Sequence, residues 1–288
     1  MPEKASVRTW AEDDVEYVFQ SITSENWGHT RRDIERCWRL EPNGCFIAEL
    51  ESDLVGHIST INYGELAWLG LFVVNRERRG RGIGTILMRR AIDYLEQAGA
   101  ETIRLEAEEV AVPLYRRFGF KEEFDSLRFS GHTNRHHKEP FRKGIEHMQD
   151  EDIERLVELD SKYFGSQRFR VLKRLFDDDH QYCFVAKEGR KTIGYLMCRE
   201  TQNAFWIGPW ICEDPSRSGE LLEACLSAIK DEEAQLRFGF PSRNENMPTL
   251  LKRKGFVPTG KSIRMFRGEK KHQGIPQGVY GVGGPEKG

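Results

Sequence analysis

Residues 79–84 carry three glycines at every second position, in the sequence Arg-Gly-Arg-Gly-Ile-Gly. An apolar run over residues 69–74 comes before them, and apolar residues four apart follow from Ile83. This pattern predicts a strand, a turn and a helix in that order. Glycine lets the backbone approach a ligand closely, and the first amide groups of a helix carry a positive partial charge. The segment therefore predicts a site for a diphosphate or a similar anion.

The common nucleotide-binding motifs do not fit this segment. The spacing Gly80-x-Gly82-x-Gly84 is one residue shorter than the dinucleotide pattern GxGxxG, and it follows a late strand rather than the first one. The Gly-Lys-Ser/Thr ending of a P-loop is also missing. A diphosphate is still the expected ligand, but in neither of the two nucleotide folds.

Two motifs in the first half resemble those of the GNAT superfamily of N-acetyltransferases. Residues 79–84 are similar to its Arg/Gln-x-x-Gly-x-Gly/Ala motif, and residues 114–120 (LYRRFGF) to its Leu-Tyr-x-x-x-Gly-Phe motif. The resemblance covers roughly residues 5–129 and implies that acetyl-CoA binds as cosubstrate, without a metal. It assigns these residues to cofactor binding: Phe72, Val73, Val74, Arg79, Gly80, Arg81, Gly82, Ile83, Gly84 and Thr85.

The resemblance also implies that Tyr115 protonates the leaving thiolate, although a helix tyrosine can simply pack on the core with its hydroxyl in water. Many members carry an asparagine where this chain has Glu108. An attacking amine must lose a proton, so a base or a water chain is expected. Candidate bases are Glu65 and Glu106, each of which could instead be a solvated residue at a strand end. His57, in an apolar strand, could serve as a base too, but a single strand histidine is more often a hydrogen-bonded core residue.

The chain repeats itself once. Residues 45–48 (CFIA) match residues 183–186 (CFVA), and residues 67–71 (AWLGL) match residues 205–209 (FWIGP), each at an offset of 138. Further matches occur in the same order on both sides of these. The repeat predicts two tandem domains of related fold.

Each half is predicted to be an α/β domain with a mixed, mostly antiparallel and twisted sheet flanked by helices. The first domain, at residues 1–133, is the predicted catalytic one. A linker is predicted at 134–144, and a degenerate GNAT-like domain at 145–267. Residues 268–288, rich in glycine and proline, form a tail for which no structure is predicted.

The second half has lost the anion loop. Where residues 79–84 would fall, residues 215–220 read Pro-Ser-Arg-Ser-Gly-Glu, with a single glycine. Leu251 stands in place of Tyr115. One diphosphate site per chain is therefore expected, in the first half.

Residues 207–210 (IGPW), 244–246 (NEN) and 264–265 (RM) resemble the degenerate C-terminal GNAT-like domain of some tandem bacterial and archaeal proteins. That resemblance implies a second domain that shapes the acceptor pocket. The tail could then fold back over the pocket.

Composition excludes several function classes. The net charge of −2 predicts no nucleic-acid partner and no anionic membrane surface, and no apolar run approaches the roughly 18 residues of a membrane span. Six cysteines without a close pair indicate reduced thiols and a cytoplasmic protein. His132, His136 and His137 are interpreted as solvated, so no metal is expected.

The sequence thus predicts an acetyl-CoA-dependent N-acetyltransferase that acylates the amine of a small molecule by direct attack on the thioester. The alternative is a non-catalytic acyl-CoA sensor, because a cofactor site does not by itself establish turnover. The acceptor, the acyl chain length and the choice between monomer and homodimer stay open.

Overall fold

The computed structural model describes residues 5–133, 142–231 and 233–288. Most of the linker predicted at 134–144, with His136 and His137, lies outside these residues. Within them, thirteen strands form one continuous sheet. The strands are β1 (Ser6–Thr9), β2 (Phe46–Leu50), β3 (Asp53–Asn62), β4 (Leu66–Val74), β5 (Thr102–Ala107), β6 (Lys121–His132), β7 (Ile145–His147), β8 (Phe184–Glu188), β9 (Lys191–Glu200), β10 (Phe205–Cys212), β11 (Gln235–Pro241), β12 (Val257–Gly268) and β13 (Val279–Gly281).

Helices flank this sheet, as the sequence predicted. They are α1 (Asp14–Ser24), α2 (Arg31–Leu40), α3 (Ile83–Gln97), α4 (Val112–Arg116), α5 (Asp150–Phe164), α6 (Phe169–Asp179), α7 (Pro215–Ala228) and α8 (Asn246–Arg253). The apolar stripe of α3 packs on the first-half sheet, because Leu87, Ala91 and Leu95 recur every four residues and are fully buried. No helix among the described residues is long and apolar enough to cross a membrane.

The two halves exchange their last strands. The order in the sheet is β1-β2-β3-β4-β5-β12-β6-β11-β10-β9-β8-β7, so β6 of the first half lies between β12 and β11. β12 of the second half pairs with β5 in an antiparallel ladder that sets Met265 opposite Leu105. Each half therefore depends on a strand from the other, and the predicted domain bounds stay a division of the sequence rather than of the sheet.

The only parallel neighbours in the described sheet are β4 with β5 and β10 with β11. β4 and β5 pair only over Leu66–Trp68 and Thr102–Arg104, after which no ladder joins them. We call the opening beyond this point the first cleft. β10 and β11 likewise pair only over Phe205–Ile207 and Leu236–Phe238, and the opening beyond them is the second cleft.

The tail, residues 268–288, is ordered, although no structure was predicted for it. Its strand β13 pairs with β10, and the amide of Val282 donates to the carbonyl oxygen of Gly239 in β11 over 2.7 Å. The tail therefore fills the second cleft. Its glycines serve close packing: a Cβ added to Gly281 would lie 2.8 Å from the carbonyl oxygen of Ile207. The glycine-rich composition of the tail, which suggested an unstructured segment, thus reflects close contact between the tail and neighbouring backbone.

Candidate active site

The glycine loop, residues 79–84, lies between β4 and α3. Gly80 and Gly82 have φ of +79° and +83°, a backbone conformation that favours glycine. A Cβ added to either residue would meet nothing within 4 Å, so the outer face of the loop is open. Gly82 caps α3, and no side chain makes a capping hydrogen bond to the first amides of this helix. Open space beside these amides fits a diphosphate.

Arginine side chains fix the loop to its surroundings. The Nε of Arg79 donates to the carbonyl oxygen of Val74 over 2.9 Å, and its Nη2 lies 2.8 Å from the carboxylate of Glu25 at the end of α1. Arg81 is exposed. Arg79 thus holds the loop against β4, and Arg81 remains available for a ligand charge.

The predicted contacts on β4 divide between its two faces. A Cβ added to Gly84 would lie 3.2 Å from Phe72 and 3.6 Å from Val74, so these two side chains pack against the first turn of α3. Val73 points the other way, into the core beneath α1 and α2. The register between β3 and β4 shifts here, and Leu71 has φ of +44°. This bulge, on a strand edge that β5 does not cover, exposes backbone groups to a ligand.

β4, the strand before the glycine loop, borders a cavity of about 660 Å³ between the two halves. The first half contributes Leu69, Gly70, Leu71, Phe72, Met88 and Tyr115. The second half contributes Arg199, Trp206, Arg237, Phe238 and Ser262, and the tail contributes Pro285 and Glu286. Both halves and the tail therefore meet at one site.

Tyr115, the residue predicted to protonate the thiolate, lies in α4. It lines the cavity and packs against Phe72, with ring centroids 6.4 Å apart. Burial, with a smaller contribution from Glu108, raises the pKa of Tyr115 well above its ordinary value of 10. The phenol is accordingly protonated at neutral pH. Glu108, at the position of the family's asparagine, also lines the cavity.

Glu106 lines the same cavity, but its charge is compensated. Its side chain is 1% exposed and accepts hydrogen bonds from Arg264 over 2.8 Å and from Ser262 over 2.7 Å. Both partners lie on β12, the strand donated by the second half. To act as a base, Glu106 would have to give up part of this pairing.

The other two candidate bases lie away from the cavity. Glu65 is 63% exposed, and its carboxylate lies 3.1 Å from His272. Glu65, Glu101 and His272 form a group at the surface. The side-chain atoms of this group that could bind a metal ion lie within 4.8 Å of one another. His57 is fully buried, with Nε2 3.0 Å from the hydroxyl of Ser21, and burial lowers its pKa to about 4.

Sequence patterns pointed to neither His29 nor Glu286, yet both line the cavity. His29 lies in the loop between α1 and α2, and Glu286 in the tail. A buried ion pair nearby joins the halves, with Arg199 of β9 3.0 Å from Asp33 of α2. Although burial opposes it, Arg199 and Arg36 hold the pKa of Asp33 well below its usual range. The internal repeat did not identify these residues, because their contacts are with elements that lie far from them in the sequence.

Comparisons with known proteins agree with this architecture. Models of the acetyltransferase (GNAT) family and of the acetyltransferase (GNAT) domain match residues 6–120 and 156–281. The chain is 24% identical to holothin acyltransferase of Pseudoalteromonas sp. (strain SANK 73390), over 99% of this chain and 93% of that protein.

Solved structures share the whole two-domain fold. A protein from Pyrococcus horikoshii, assigned as an acetyltransferase, has a TM-score of 0.82 at 24% identity and covers 99% of this chain and 96% of its own. A tandem GNAT protein from the clavulanic acid biosynthesis pathway has a TM-score of 0.62 at 13% identity, with 92% and 98% covered. Since GNAT models match both halves, the chain belongs to the GNAT N-acetyltransferase family and consists of two tandem GNAT domains.

Proposed function

We propose that the protein transfers an acetyl group from acetyl-CoA to the amine of a small molecule, at one active site per chain. The observation that carries this proposal is the continuity of the first cleft. An open glycine loop, the uncovered edge of β4 and Tyr115 lead in sequence into the cavity between the halves. A diphosphate, an extended arm and a thioester would need these features in that order.

Residues 79–85 would hold the diphosphate, and the backbone of Phe72 and Val74 would pair with the extended arm of the cosubstrate. The bound thioester supplies an activated acyl group. Backbone amides at the bulge near Leu71 would stabilise negative charge on the thioester oxygen. Tyr115 would then donate its proton to the departing sulfur.

A small acceptor fits the site better than a protein surface. The cavity of about 660 Å³ lies between the halves, with the tail as part of its wall. Its volume is in the range of small-molecule pockets. The relative named holothin acyltransferase supports acyl transfer. All six cysteines are free and buried, which fits a reducing compartment such as the cytoplasm.

The test is turnover by the full chain. Acetyl-CoA is incubated with a panel of alkylamines, diamines, amino sugars and amino acids, and release of free thiol is followed. We expect amine-dependent thiol release, with a product heavier by one acetyl group in mass spectrometry. Tight CoA binding without turnover on any amine would favour the acyl-CoA sensor instead. Repeating the assay with longer acyl-CoAs establishes the accepted chain length.

A further inference from the structure

Hydrogen bonds from both halves hold the tail on either side of Glu286. The indole of Trp206 in β10 donates to the carbonyl oxygen of Val282 over 2.8 Å. From the first half, the indole of Trp68 donates to the carbonyl oxygen of Pro285 over 2.9 Å, and the hydroxyl of Tyr63 donates to that of Lys287 over 2.8 Å. Glu286 is therefore held from both sides.

These contacts set Glu286 against β4. A Cβ added to Gly70 would lie 2.5 Å from both the Cα and the Cβ of Glu286, so only glycine leaves room for the tail here. Gly70 directly precedes Leu71, where the bulge of β4 lies. The Glu286 side chain thus lines the cavity next to the backbone groups proposed to hold the thioester oxygen.

The polar atoms of Glu286 and His29 are incompletely satisfied. Oε1 of Glu286 accepts from Lys287, and Arg199 lies 3.7 Å from it. Oε2 lies 3.3 Å from Nε2 of His29, but no hydrogen bond joins them. Among the described residues, neither Oε2 nor either ring nitrogen of His29 has a hydrogen-bond partner. Because buried polar atoms are normally paired, this arrangement fits a ligand that donates N–H groups.

We infer that Glu286 is the residue that binds the acceptor as an ammonium ion and accepts its proton, with His29 as the second contact. This inference rests on the proposed function and narrows its substrate to cationic primary amines. Four titratable or charged groups face the pair from α2, β9 and the tail: Asp33, Arg36, Arg199 and Lys287. Burial lowers the pKa of His29 to about 3, so the ring stays neutral and can accept an N–H.

The proton balance is complete without a further reagent. The ammonium loses one proton to the Glu286 carboxylate, and the freed nitrogen lone pair forms the N–C bond. The C–S bond breaks, and the sulfur keeps the electron pair and takes the hydroxyl proton of Tyr115. The new amide nitrogen returns a proton to the Tyr115 oxygen, and Glu286 releases its proton to water. The net products are an amide, a thiol and one proton.

The decisive variant is Glu286→Gln, with Glu65→Gln as the matched control on a carboxylate outside the cavity. With the best amine of the panel, we expect kcat/KM of Glu286→Gln to fall about 100-fold at pH 7. Its rate should keep rising with pH toward the pKa of the free amine, whereas the wild-type rate levels off. Glu65→Gln should match the wild type.

A binding measurement gives a readout independent of turnover. By calorimetry, the same amine should bind the complex of the protein with CoA at least about 10-fold more weakly in Glu286→Gln, while CoA affinity stays within about twofold. Should Glu286→Gln fail to fold, Glu286→Asp keeps the charge and should retain the wild-type shape of the pH profile at a lower rate.

Different results would contradict the proposed function and the role of Glu286. A wild-type protein that turns over no amine contradicts the proposed function and the inference with it. An active wild type with an equally active Glu286→Gln overturns the inference alone. So does a loss by the same factor at every pH, because that result indicates only a structural role.

Discussion

The two clefts of this molecule begin alike and end differently. In each half, a central pair of parallel strands is joined over three residues and then separates. In the first cleft the edge of β4 is uncovered and faces the cavity. In the second cleft β13 pairs with β10, so the chain's own tail occupies the strand edge. The same scaffold therefore offers a ligand site in one half and a docking site for the tail in the other.

The helix that follows each cleft shows the matching difference. α3 begins after Gly82, which has open space beside it, and no side chain caps this helix. α7 begins after Asp214, whose carboxylate accepts a hydrogen bond from the amide of Ser216 over 2.8 Å. A side-chain carboxylate thus takes the position at the helix N-terminus that an external anion would need. The second half thus differs from the first both in its loop, which lacks the glycines, and in its cleft, which the tail fills.

A substitution in the glycine loop of the first cleft should have the largest effect on cofactor binding. In Gly82→Val, a β-branched residue would be strained at φ of +83° and would project into the open space beside the α3 amides. We expect the Kd for CoA, measured by calorimetry, to rise about 1,000-fold, equivalent to about 4 kcal/mol.

Gly99→Val is the matched control for this substitution. Gly99 has φ of +92° and open space around it, but it lies at the other end of α3. The control should carry similar backbone strain and keep wild-type CoA affinity. Equal loss in both variants, or unchanged binding in Gly82→Val, would remove the glycine loop as the cofactor site.

In the second cleft, the tail should contribute to stability. Tyr280 is buried, and its ring centroid lies 5.2 Å from that of Trp210 in β10. Tyr280→Ala should lower the free energy of unfolding by about 3 kcal/mol, because it removes a large buried ring. Urea denaturation measures this, and Gln277→Ala, on an exposed tail residue, should change it by less than about 0.5 kcal/mol. A tail that is only loosely attached would make the two variants alike.

The sequence predicts those features of the molecule that depend on residues close together in the chain. The repeat identified two related halves, and the motif at residues 79–84 identified the glycine loop at the start of α3, because turns and helix starts depend on neighbouring residues. Tyr115 was predicted to be near the thioester and does line the cavity. Its catalytic role stays a prediction.

Long-range pairing could not be predicted in the same way. The local sequence of β12 predicts a strand but names no neighbour, so nothing local shows that it pairs with β5 of the other half. Glu65 was chosen because it borders β4, but it precedes the strand and lies at the paired end, away from the cleft. Glu286 was overlooked because the glycines around it suggested an unstructured tail.

Tyr115 offers a smaller test of the first cleft, since its counterpart in the second half is a leucine. Tyr115→Phe removes only the hydroxyl that would protonate the thiolate. We expect kcat to fall about 100-fold, with little change in CoA affinity. Tyr94→Phe is the control, because the Tyr94 hydroxyl bonds Glu41 and the residue does not line the cavity. Identical rates for Tyr115→Phe and the wild type would assign the proton donor to another group.

The smallest expected difference between the halves is in how their stability depends on pH. His57 in β3 corresponds in the repeat to Tyr195 in β9, and both are fully buried. Burial lowers the pKa of His57 from 6.5 to about 4, whereas it raises that of Tyr195 well above 10. Between pH 6.5 and 4 the unfolded chain therefore takes up the histidine proton first, and stability falls as the pH falls.

For His57 alone, this linkage costs about 0.8 kcal/mol at pH 6 relative to pH 8. His29 titrates in the same direction and is present in both proteins, so comparing the wild type with His57→Asn isolates the contribution of His57. Urea denaturation at the two pH values should show a loss smaller by about 0.8 kcal/mol in the variant. Equal losses would mean that His57 keeps an ordinary pKa, and that the first half's core is more accessible to water than its packing indicates.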